Sequence, residues 1–188
     1  MGTSRRQEIL DAALEMFAER GYRGTSLDAI AERVGLTRQG VLHYFPSKKK
    51  LLAAVLELRD EASREALTAD RPVGEWPVQL AEVVAYDRAN AGLAQVYSVL
   101  VAESVTEGHP AQEYFRDYYE RVRARTVRRL AAQYGDRLPS GLSPEAVATA
   151  LVAMIDGMQQ QWLLDRERAG HPEIMRDVLS VLLGTAPR

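Results

Sequence analysis

The sequence predicts an all-α protein with a small N-terminal three-helix head and a larger helical body. Apolar residues recur at intervals of three and four along nearly the whole chain of 188 residues, and no segment alternates apolar and polar residues as a half-buried strand does. Three of the predicted helices begin with proline at or near their first residue, which is a favoured position. We therefore place the head at residues 1–50 and the body at residues 51–188.

The first two helices of the head are predicted from their apolar faces and their ends. The first runs from about Arg5 to Arg20, and Gly21 ends it because glycine adopts the left-handed backbone without strain. Its apolar residues share one face: Ile9, Leu10, Ala13, Leu14 and Phe17. The second runs from about Leu27 to Val34. Thr25 is expected to cap its start, with Asp28 three residues later, as in a capping box.

A third, short helix follows a glycine turn. Gly35 ends the second helix, and Thr37 caps the next one, which is predicted from about Arg38 to Tyr44. Val41 and Leu42 can anchor it to the core. The side chains left facing solvent are Arg38, Gln39, Gly40, His43 and Tyr44. Two helices joined by a tight turn, the second with hydrogen-bond donors on its exposed face, are typical of a helix-turn-helix that enters the major groove of DNA.

The fourth helix, predicted from Ser47 to about Thr68, begins with three lysines. Lys48, Lys49 and Lys50 place cations at the positive end of the helix dipole, where they oppose helix stability. A DNA phosphate would meet free backbone N–H groups and ammonium groups together at this terminus. The alternative is a solvated lysine run, but its place directly after the helix-turn-helix favours phosphate contact.

The motifs of the head occur in a characteristic order and spacing. They run from Arg6 to Ser26, then through Ile30-Ala31, Val34-Gly35, Tyr44 to Lys48, and Leu51-Leu52. Over about the first 55 residues the chain thereby resembles the TetR family of transcriptional regulators, whereas the body resembles it only as an all-helical domain. The chain departs from the family at His43, where tyrosine is usual, and at Lys49 and Lys50, where acidic residues are usual. These changes could alter phosphate contacts and make binding pH-sensitive, since histidine titrates near neutrality.

The resemblance implies that the head is a DNA-binding domain. The implied DNA-binding residues are Thr25, Ser26, Thr37, Arg38, Gln39, Gly40, His43, Tyr44 and Lys48. Thr25 and Ser26 would contact phosphates, whereas Arg38 and Gln39 would read bases, because arginine pairs with guanine and glutamine with adenine. Gly40 would allow close approach of the helix, and the other four would hold the DNA backbone. Core packing remains the alternative for the tyrosine of this set, and an ordinary surface position for the histidine.

The body is predicted to contain five further helices. They run from about Val78 to Ala89, Gly92 to Val105, Pro110 to Tyr134, Pro144 to Glu167 and Pro172 to Leu183. Turns are predicted at Asp70–Pro77 and Asp136–Gly141. From Ala146 to Leu164 the only formal charge is Asp156, so this helix is apolar over most of its girth and must be buried on two sides.

We predict a homodimer formed by the last two helices of each chain. The candidate interface residues are Leu151, Ile155, Trp162, Val178 and Leu182. The alternative is that the apolar helix is buried entirely within its own chain. A dimer suits DNA reading, because one short recognition helix reads only a few base pairs. A two-fold dimer reads a palindrome whose half-sites lie about 34–36 Å, or multiples of that distance, apart.

The resemblance also implies a small-molecule pocket in the body. The candidate ligand-binding residues are Tyr86, Tyr97, Glu103, Tyr114, Tyr118, Met158 and Trp162. Asp87, Glu103 and Asp156 lie in largely apolar surroundings and could select a cationic ligand. Core packing, or a satisfied polar group, is the alternative for each. A bound ligand would favour a position of the fourth helix that misplaces the two heads of the dimer.

Composition narrows the class of protein further. The chain has no cysteine, and its three histidines do not fall in a metal-ligand spacing. It also lacks a glycine-rich phosphate loop and a nucleophile elbow, so we expect no cofactor, no metal and no enzymatic activity. The net charge of −2 divides into +3 for residues 1–50 and −5 for residues 51–188, which fits local contact with DNA. No apolar signal segment or membrane span is evident, so we expect a cytoplasmic protein.

The sequence therefore predicts a ligand-responsive transcriptional regulator. On the resemblance, it is a repressor that binds a palindromic operator as a homodimer and is released by a small-molecule effector. The expected partners are double-stranded DNA, an effector of unknown identity and a second copy of the chain, with no membrane. The alternative is a helical protein-interaction module whose head binds a protein instead of DNA.

Overall fold

Helices form every regular element of the chain that the structure describes. The computed structural model describes residues 4–67, 73–76, 86, 88–167 and 171–184, and for residues 59–67, 74, 171 and 172 it describes the backbone alone. The α-helices of these ranges are α1 (Arg5–Arg20), α2 (Leu27–Arg33), α3 (Arg38–Tyr44), α4 (Lys48–Leu67), α5 (Ala91–Ser104), α6 (Gln112–Tyr134), α7 (Pro144–Leu164) and α8 (His171–Leu183). The predicted all-α class is thereby confirmed. Within the same ranges no helix has both the length and the apolar character to cross a membrane.

The helix ends agree with the prediction to within a few residues. The largest differences are at α6, which begins two residues after Pro110, and at α7, which ends three residues before Glu167. Residues 109–111 form a turn, because the His109 ring accepts a hydrogen bond from the Ala111 N–H at 3.2 Å. Of the predicted helix at 78–89, only Tyr86, Arg88 and Ala89 are described, and all three are helical. Of the predicted turn at 70–77, only residues 73–76 are described, and Val73–Glu75 form a 3-10 turn.

Packing divides the chain into two compact units that differ from the predicted domains. The first unit contains residues 1–64 and 90–115, and the second contains residues 65–89 and 116–188. Helix α5 therefore belongs to the same compact unit as the head. The division at residue 50 was drawn between DNA-binding and ligand-binding functions, and in that sense it stays a prediction.

Helix α1 lies at the centre of the first unit. It contacts both α2 and α5. The Gln95 side-chain amide of α5 donates a hydrogen bond to the Ala18 carbonyl at 3.1 Å, and Arg33 of α2 forms an ion pair with Glu15 of α1. Fully buried side chains come from all five helices: Ile9, Ala13, Phe17, Ile30, Val41, Leu51, Val55 and Leu100.

The second unit has its own apolar core. Its buried members are Val73, Trp76, Leu130, Leu138, Val147, Leu151, Met175, Leu179 and Leu183. Two predicted dimer residues are buried within the single chain: Leu151 is 5% exposed and Trp162 is 7% exposed. A dimer contact by these two residues stays a prediction, and their burial argues against it. Ile155 and Leu182 are partly buried against the same core.

The exposed apolar face of this unit belongs mainly to α8. Ile174, Val178 and Val181 are 50%, 40% and 62% exposed, and their spacing of four and three residues places them on one side of the helix. The candidate interface residue Val178 lies on this side, between Ile174 and Val181. The side of α8 that carries Met175, Leu179 and Leu183 is the side buried in the core.

Candidate nucleic-acid interface

The turn between α2 and α3 forms as the sequence predicts. Gly35 has a φ of 65°, which is the left-handed conformation that glycine tolerates. The next N–H, that of Leu36, donates to the Ala31 carbonyl at 2.9 Å and closes the end of α2. In α3 Val41 is fully buried and Leu42 is half-buried, whereas Arg38, Gln39 and His43 are exposed. The geometry is that of a helix-turn-helix.

Three hydroxyl side chains cap the helices of this surface. Ser26 accepts from the Ala29 N–H at 3.1 Å, Thr37 from the Gly40 N–H at 3.2 Å, and Ser47 from the Lys50 N–H at 3.1 Å. These are the caps of α2, α3 and α4, and the cap predicted at Thr37 is confirmed. Each hydroxyl uses its oxygen as the acceptor, so its proton can still be donated to an anion such as a phosphate.

Thr25 does not cap α2, and the prediction that it does is wrong. Its side chain is only 2% exposed, and its hydroxyl lies 3.0 Å from the Met16 carbonyl and 2.9 Å from the Gly21 carbonyl, to which it donates. The hydroxyl therefore ties the start of α2 to the end of α1. Ser26, one residue later, takes the capping position. A phosphate contact by the Thr25 hydroxyl stays an untested prediction, and its burial argues against it.

The leading residues of α3 are available for contact. Arg38 and Gln39 are exposed, and the Arg38 guanidinium lies 3.4 Å from the Asp28 carboxylate of α2. A methyl group at Gly40 would make only ordinary contacts, at 3.5 Å from Leu36 and Thr37. The packing of the head therefore does not require glycine at this position. This is what we expect if the absence of a side chain at Gly40 allows close approach of a ligand outside the protein.

The two aromatic residues at the end of α3 also face outwards. Tyr44 is 39% exposed and His43 is exposed, and their rings meet edge to face with centroids 5.3 Å apart. The Tyr44 side chain is therefore not packed in the core, which was the alternative to DNA contact for this residue. Phe45, the next residue, is buried instead, with the Arg6 guanidinium 4.9 Å from the centre of its ring.

Lys48 is held in a more confined environment than the sequence indicates. Its side chain is half-buried, and its ammonium nitrogen lies 4.1 Å from the centre of the Tyr22 ring. Burial lowers the pKa of Lys48, and the Glu103 carboxylate opposes that shift. Lys49 and Lys50 are exposed. Sequence reasoning missed Tyr22, which lies in the turn after α1 and carries no periodic signal.

Glu103 is not placed as a free ligand-binding acid. Its carboxylate accepts a hydrogen bond from the Tyr22 backbone N–H at 2.6 Å, within the first compact unit. The sequence prediction had assigned it to a pocket because its neighbours in α5 are apolar. In the structure the carboxylate satisfies a backbone donor of the head, and a ligand-binding role for Glu103 stays a prediction.

The other predicted ligand-binding residues are divided between the two units. Tyr97 and Tyr114 belong to the first. Tyr97 is buried with its ring edge to face with Phe115, and the Tyr114 hydroxyl donates to the Leu56 carbonyl at 3.4 Å. The members in the second unit are Tyr86, Tyr118, Met158 and Trp162. In that unit the Tyr119 hydroxyl donates to the half-buried Asp156 carboxylate, whereas Asp87 lies outside the described residues.

Metal binding has no visible basis in the described part of the chain. Within those ranges, no three histidine, aspartate or glutamate side chains come together as the ligands of a metal ion would.

Comparison with known proteins identifies the family of the chain. Residues 9–55 match the family described as "Bacterial regulatory proteins, tetR family". Residues 79–185 match the family described as "BetI-type transcriptional repressor, C-terminal". The regulator BetI of Burkholderia mallei (strain NCTC 10229) is 30% identical over 166 residues, which cover 85% of this chain and 80% of that protein. The chain belongs to the TetR family of transcriptional regulators, with a DNA-binding and a ligand-binding domain.

Other similarities are narrower. The regulator RutR of Escherichia coli (strain K12) is 44% identical over 54 residues, which span 29% of this chain but only 26% of that protein. A transcriptional regulator from Saccharomonospora viridis, solved in complex with choline, has the same fold. Its TM-score is 0.66 at 24% sequence identity, with 93% of each chain covered. The family and these relatives are transcriptional regulators, which are not enzymes.

We predict that Thr25→Val lowers the free energy of unfolding by about 1–3 kcal/mol. Valine has nearly the same shape as threonine, but its methyl group cannot donate the hydrogen bond that the hydroxyl shares between two buried carbonyl groups. Thr25→Ser, which keeps the hydroxyl, is the matched control and should remain close to the wild type. Urea unfolding at one protein concentration measures both. If Thr25→Val is as stable as the wild type but binds DNA more weakly, the hydroxyl contacts phosphate after all.

Proposed function

We propose that the chain is a repressor that binds a palindromic operator as a homodimer and leaves it when a small-molecule effector binds. The observation that carries the DNA-binding part is the exposed face of α3. This face presents Arg38 and Gln39 beside capped helix termini, while Val41 anchors the helix to the core. The match to a repressor family over residues 79–185 supports the sign of regulation.

Base reading falls to the first turn of α3. Arg38 and Gln39 are exposed at the start of the helix, and each has the side-chain geometry for a bidentate contact with a purine in the major groove. Gly40 next to them leaves room for the backbone of α3 to come close to the bases. Asp28 holds the guanidinium of Arg38 from the neighbouring helix, which limits the directions that this side chain samples before it meets DNA.

Phosphate contacts surround this reading surface. Ser26 and Thr37 can each donate a hydroxyl proton at the start of a helix, where backbone N–H groups also attract anions. Tyr44 adds an exposed phenol and Lys48 adds a cation at the start of α4. Such contacts fix the register of a protein on the duplex but carry no sequence information themselves.

The homodimer rests on the exposed stripe of α8. Ile174, Val178 and Val181 form an apolar surface that the described part of the chain leaves open. Exposed apolar patches of this kind mark protein interfaces. A second copy can cover the stripe by two-fold symmetry, in which each stripe packs on its counterpart. A dimer of this kind carries two α3 helices related by a dyad, and its operator is therefore a palindrome.

The effector is proposed to be a small organic molecule bound by the second unit. Asp156 supplies a half-buried carboxylate there, held by the Tyr119 hydroxyl and flanked by partly buried apolar residues of α7. A carboxylate in apolar surroundings favours an organic cation, and a regulator of the same fold was solved with choline. The effector weakens DNA binding only as far as it prefers the released state, typically by about 1–3 kcal/mol.

We also propose that the protein works in the cytoplasm beside its DNA and has no catalytic activity.

Selection of duplexes from a random library by the purified protein, at one stated salt concentration, tests the DNA-binding proposal. We expect enrichment of a palindrome with half-sites spaced by about one helical turn of DNA or its multiples. If a folded, effector-free protein enriches no sequence, the head serves another partner, and the protein-interaction alternative gains.

Two substitutions separate base recognition from phosphate contact at the selected operator. Gln39→Ala should relax the preference at one position of each half-site, at a cost of about 1–3 kcal/mol for the preferred base. Lys48→Ala should weaken all duplexes alike and reduce the slope of log affinity against log salt by about one per subunit. Fluorescence anisotropy with matched and mismatched duplexes measures both. A uniform loss from Gln39→Ala would contradict its role in base reading.

Val178→Asp should convert the dimer to a monomer, because it places two carboxylates against each other across the proposed two-fold interface. Sedimentation velocity at micromolar concentration measures the change. Gln112→Asp, which adds the same charge at the exposed first turn of α6, should leave the dimer intact. A wild-type protein that sediments as a monomer would exclude the dimer outright.

Choline should bind the protein and raise the dissociation constant for the operator by about 5–150-fold. Asp156→Asn should weaken choline binding by at least about tenfold, whereas Asp136→Asn, at an exposed site, should not. Calorimetry and anisotropy measure the two affinities. Choline that binds without changing operator affinity would refute the release mechanism, and choline that fails to bind would refute this choice of effector.

A further inference from the structure

Four side chains from separate parts of the first unit meet beneath the start of α4. We call them the Tyr22 cluster: Tyr22 from the turn after α1, Lys48 at the start of α4, Glu103 near the end of α5, and His109 from the turn before α6. All four belong to the same compact unit. Three of them have no assigned part in DNA binding, whereas Lys48 does.

The Glu103 carboxylate holds the turn that carries Tyr22. It accepts the Tyr22 N–H at 2.6 Å, and a hydrogen bond to a charged acceptor is roughly twice as strong as a neutral one. The carboxylate lies so close to Gly21 that a Cβ atom there would overlap it. Gly21 has a φ of 70°, so glycine serves this position both for its backbone conformation and for the space it leaves.

His109 closes the cluster from the other side. Its side chain is fully buried, and its ring meets the Tyr22 ring edge to face with centroids 5.4 Å apart. Because Nδ1 accepts the Ala111 N–H, the neutral ring carries its proton on Nε2, which lies 3.7 Å from the Glu103 carboxylate. Burial lowers the pKa of His109, Glu103 opposes the shift, and Arg23 and Lys48 reinforce it. A neutral imidazole thus packs the ring of Tyr22 in place.

The Tyr22 ring in turn supports Lys48. The ammonium nitrogen lies 4.1 Å from the ring centre, within the range of a cation–π interaction. A flexible lysine samples many rotamers, and fixing it before binding reduces the entropy lost when it contacts a phosphate. The position of the ammonium group therefore depends on the ring, and the ring depends on Glu103 and His109.

We propose that Glu103, supported by His109, is a positioning residue for DNA binding that acts through Tyr22 on Lys48. The inference rests on the proposed phosphate contact of Lys48. It gives helix α5 a direct influence on the DNA-binding surface that does not pass along α4. Glu103 itself touches no DNA in this account, since its carboxylate faces the backbone of the head.

The sign of one substitution separates this role from plain electrostatics. Glu103→Gln removes a negative charge, which by Coulomb attraction alone would strengthen binding to a polyanion. Positioning requires the opposite. The amide can still accept the Tyr22 N–H, but it loses the charge assistance and the attraction on Lys48, so binding should weaken by about threefold to tenfold. Glu107→Gln is the matched control, because Glu107 is exposed and lies four residues further along.

The experiment measures the affinity of the full-length protein for one arbitrary duplex of fixed length, at several salt concentrations. The variants are Glu103→Gln, Lys48→Ala, the double variant and Glu107→Gln. We expect Glu103→Gln to weaken binding and to reduce the salt slope towards that of Lys48→Ala. In the Lys48→Ala background, Glu103→Gln should have less than about a twofold further effect, since coupled residues are not additive. Glu107→Gln should leave binding unchanged or slightly stronger.

The possible failures are distinguishable. If Lys48→Ala changes neither affinity nor salt slope, the phosphate contact is wrong, and the positioning role falls with it. If Lys48→Ala weakens binding but Glu103→Gln does not, or weakens it equally without Lys48, the contact stands and positioning is overturned. Tyr22→Leu keeps the backbone N–H for Glu103 and removes only the ring. It should reproduce the reduced salt slope even if Glu103→Gln proves too unstable to measure, and an unchanged slope would overturn the proposal.

Discussion

The two shortest helices of the head exist because they are packed against neighbouring helices: α2 contacts α1, and α3 contacts α2. A helix of seven residues is unstable alone in water, since its nucleation fixes several residues for a single hydrogen bond, and α2 and α3 both have this length. Ile30 of α2 and Val41 of α3 are fully buried, as is Phe17 of α1. Burial of each such side chain contributes about 1.5–3 kcal/mol. The DNA-facing side chains are thus held in place by a core to which they do not belong.

Polar groups of the head serve two different purposes, and burial separates them. Thr25 and Glu103 satisfy backbone groups at the junction of α1 and α2, where an unpaired donor or acceptor would be costly. Ser26 and Thr37 lie at the surface and satisfy only the first turn of their own helices. The first pair fixes the relative placement of helices, whereas the second pair leaves its hydroxyl protons available to an outside partner.

Local chemistry made much of this predictable from the sequence. Helix ends follow from caps and glycines, so Gly35 and Thr37 located the helix-turn-helix without any knowledge of packing. The neighbouring hydroxyls of Thr25 and Ser26 are equally able to cap, and the choice between them depends on the α1 carbonyls, which a local pattern cannot supply. The bond from Tyr22 to Glu103 joins residues 81 positions apart, and no periodicity reports such a contact.

The body was less predictable for a related reason. An apolar girth shows that α7 is buried but does not say which of its sides faces its own chain. Leu151 faces the core of its own chain, where residues of α8 and the segment around Trp76 complete the core. On α8 the apolar pattern alone does not separate the exposed Ile174 and Val181 from the buried Leu179. Faces of a helix that is apolar all round are assigned only when its neighbours are in place.

The outer face of α3 contributes little to the packing of the head, and this affects how the sequence of such a protein can change in evolution. Gln39 and His43 are exposed, and a methyl group at Gly40 would find ordinary contacts, so these positions can change without disturbing the core. Duplicated copies could therefore acquire new operators by a few exchanges while keeping one scaffold. Arg38 is the exception, because its pairing with Asp28 means that a new residue at either position alters the electrostatic surroundings of the other. Change at these two positions is expected to be correlated, whereas change at Gln39 is limited only by the bases that it is proposed to read.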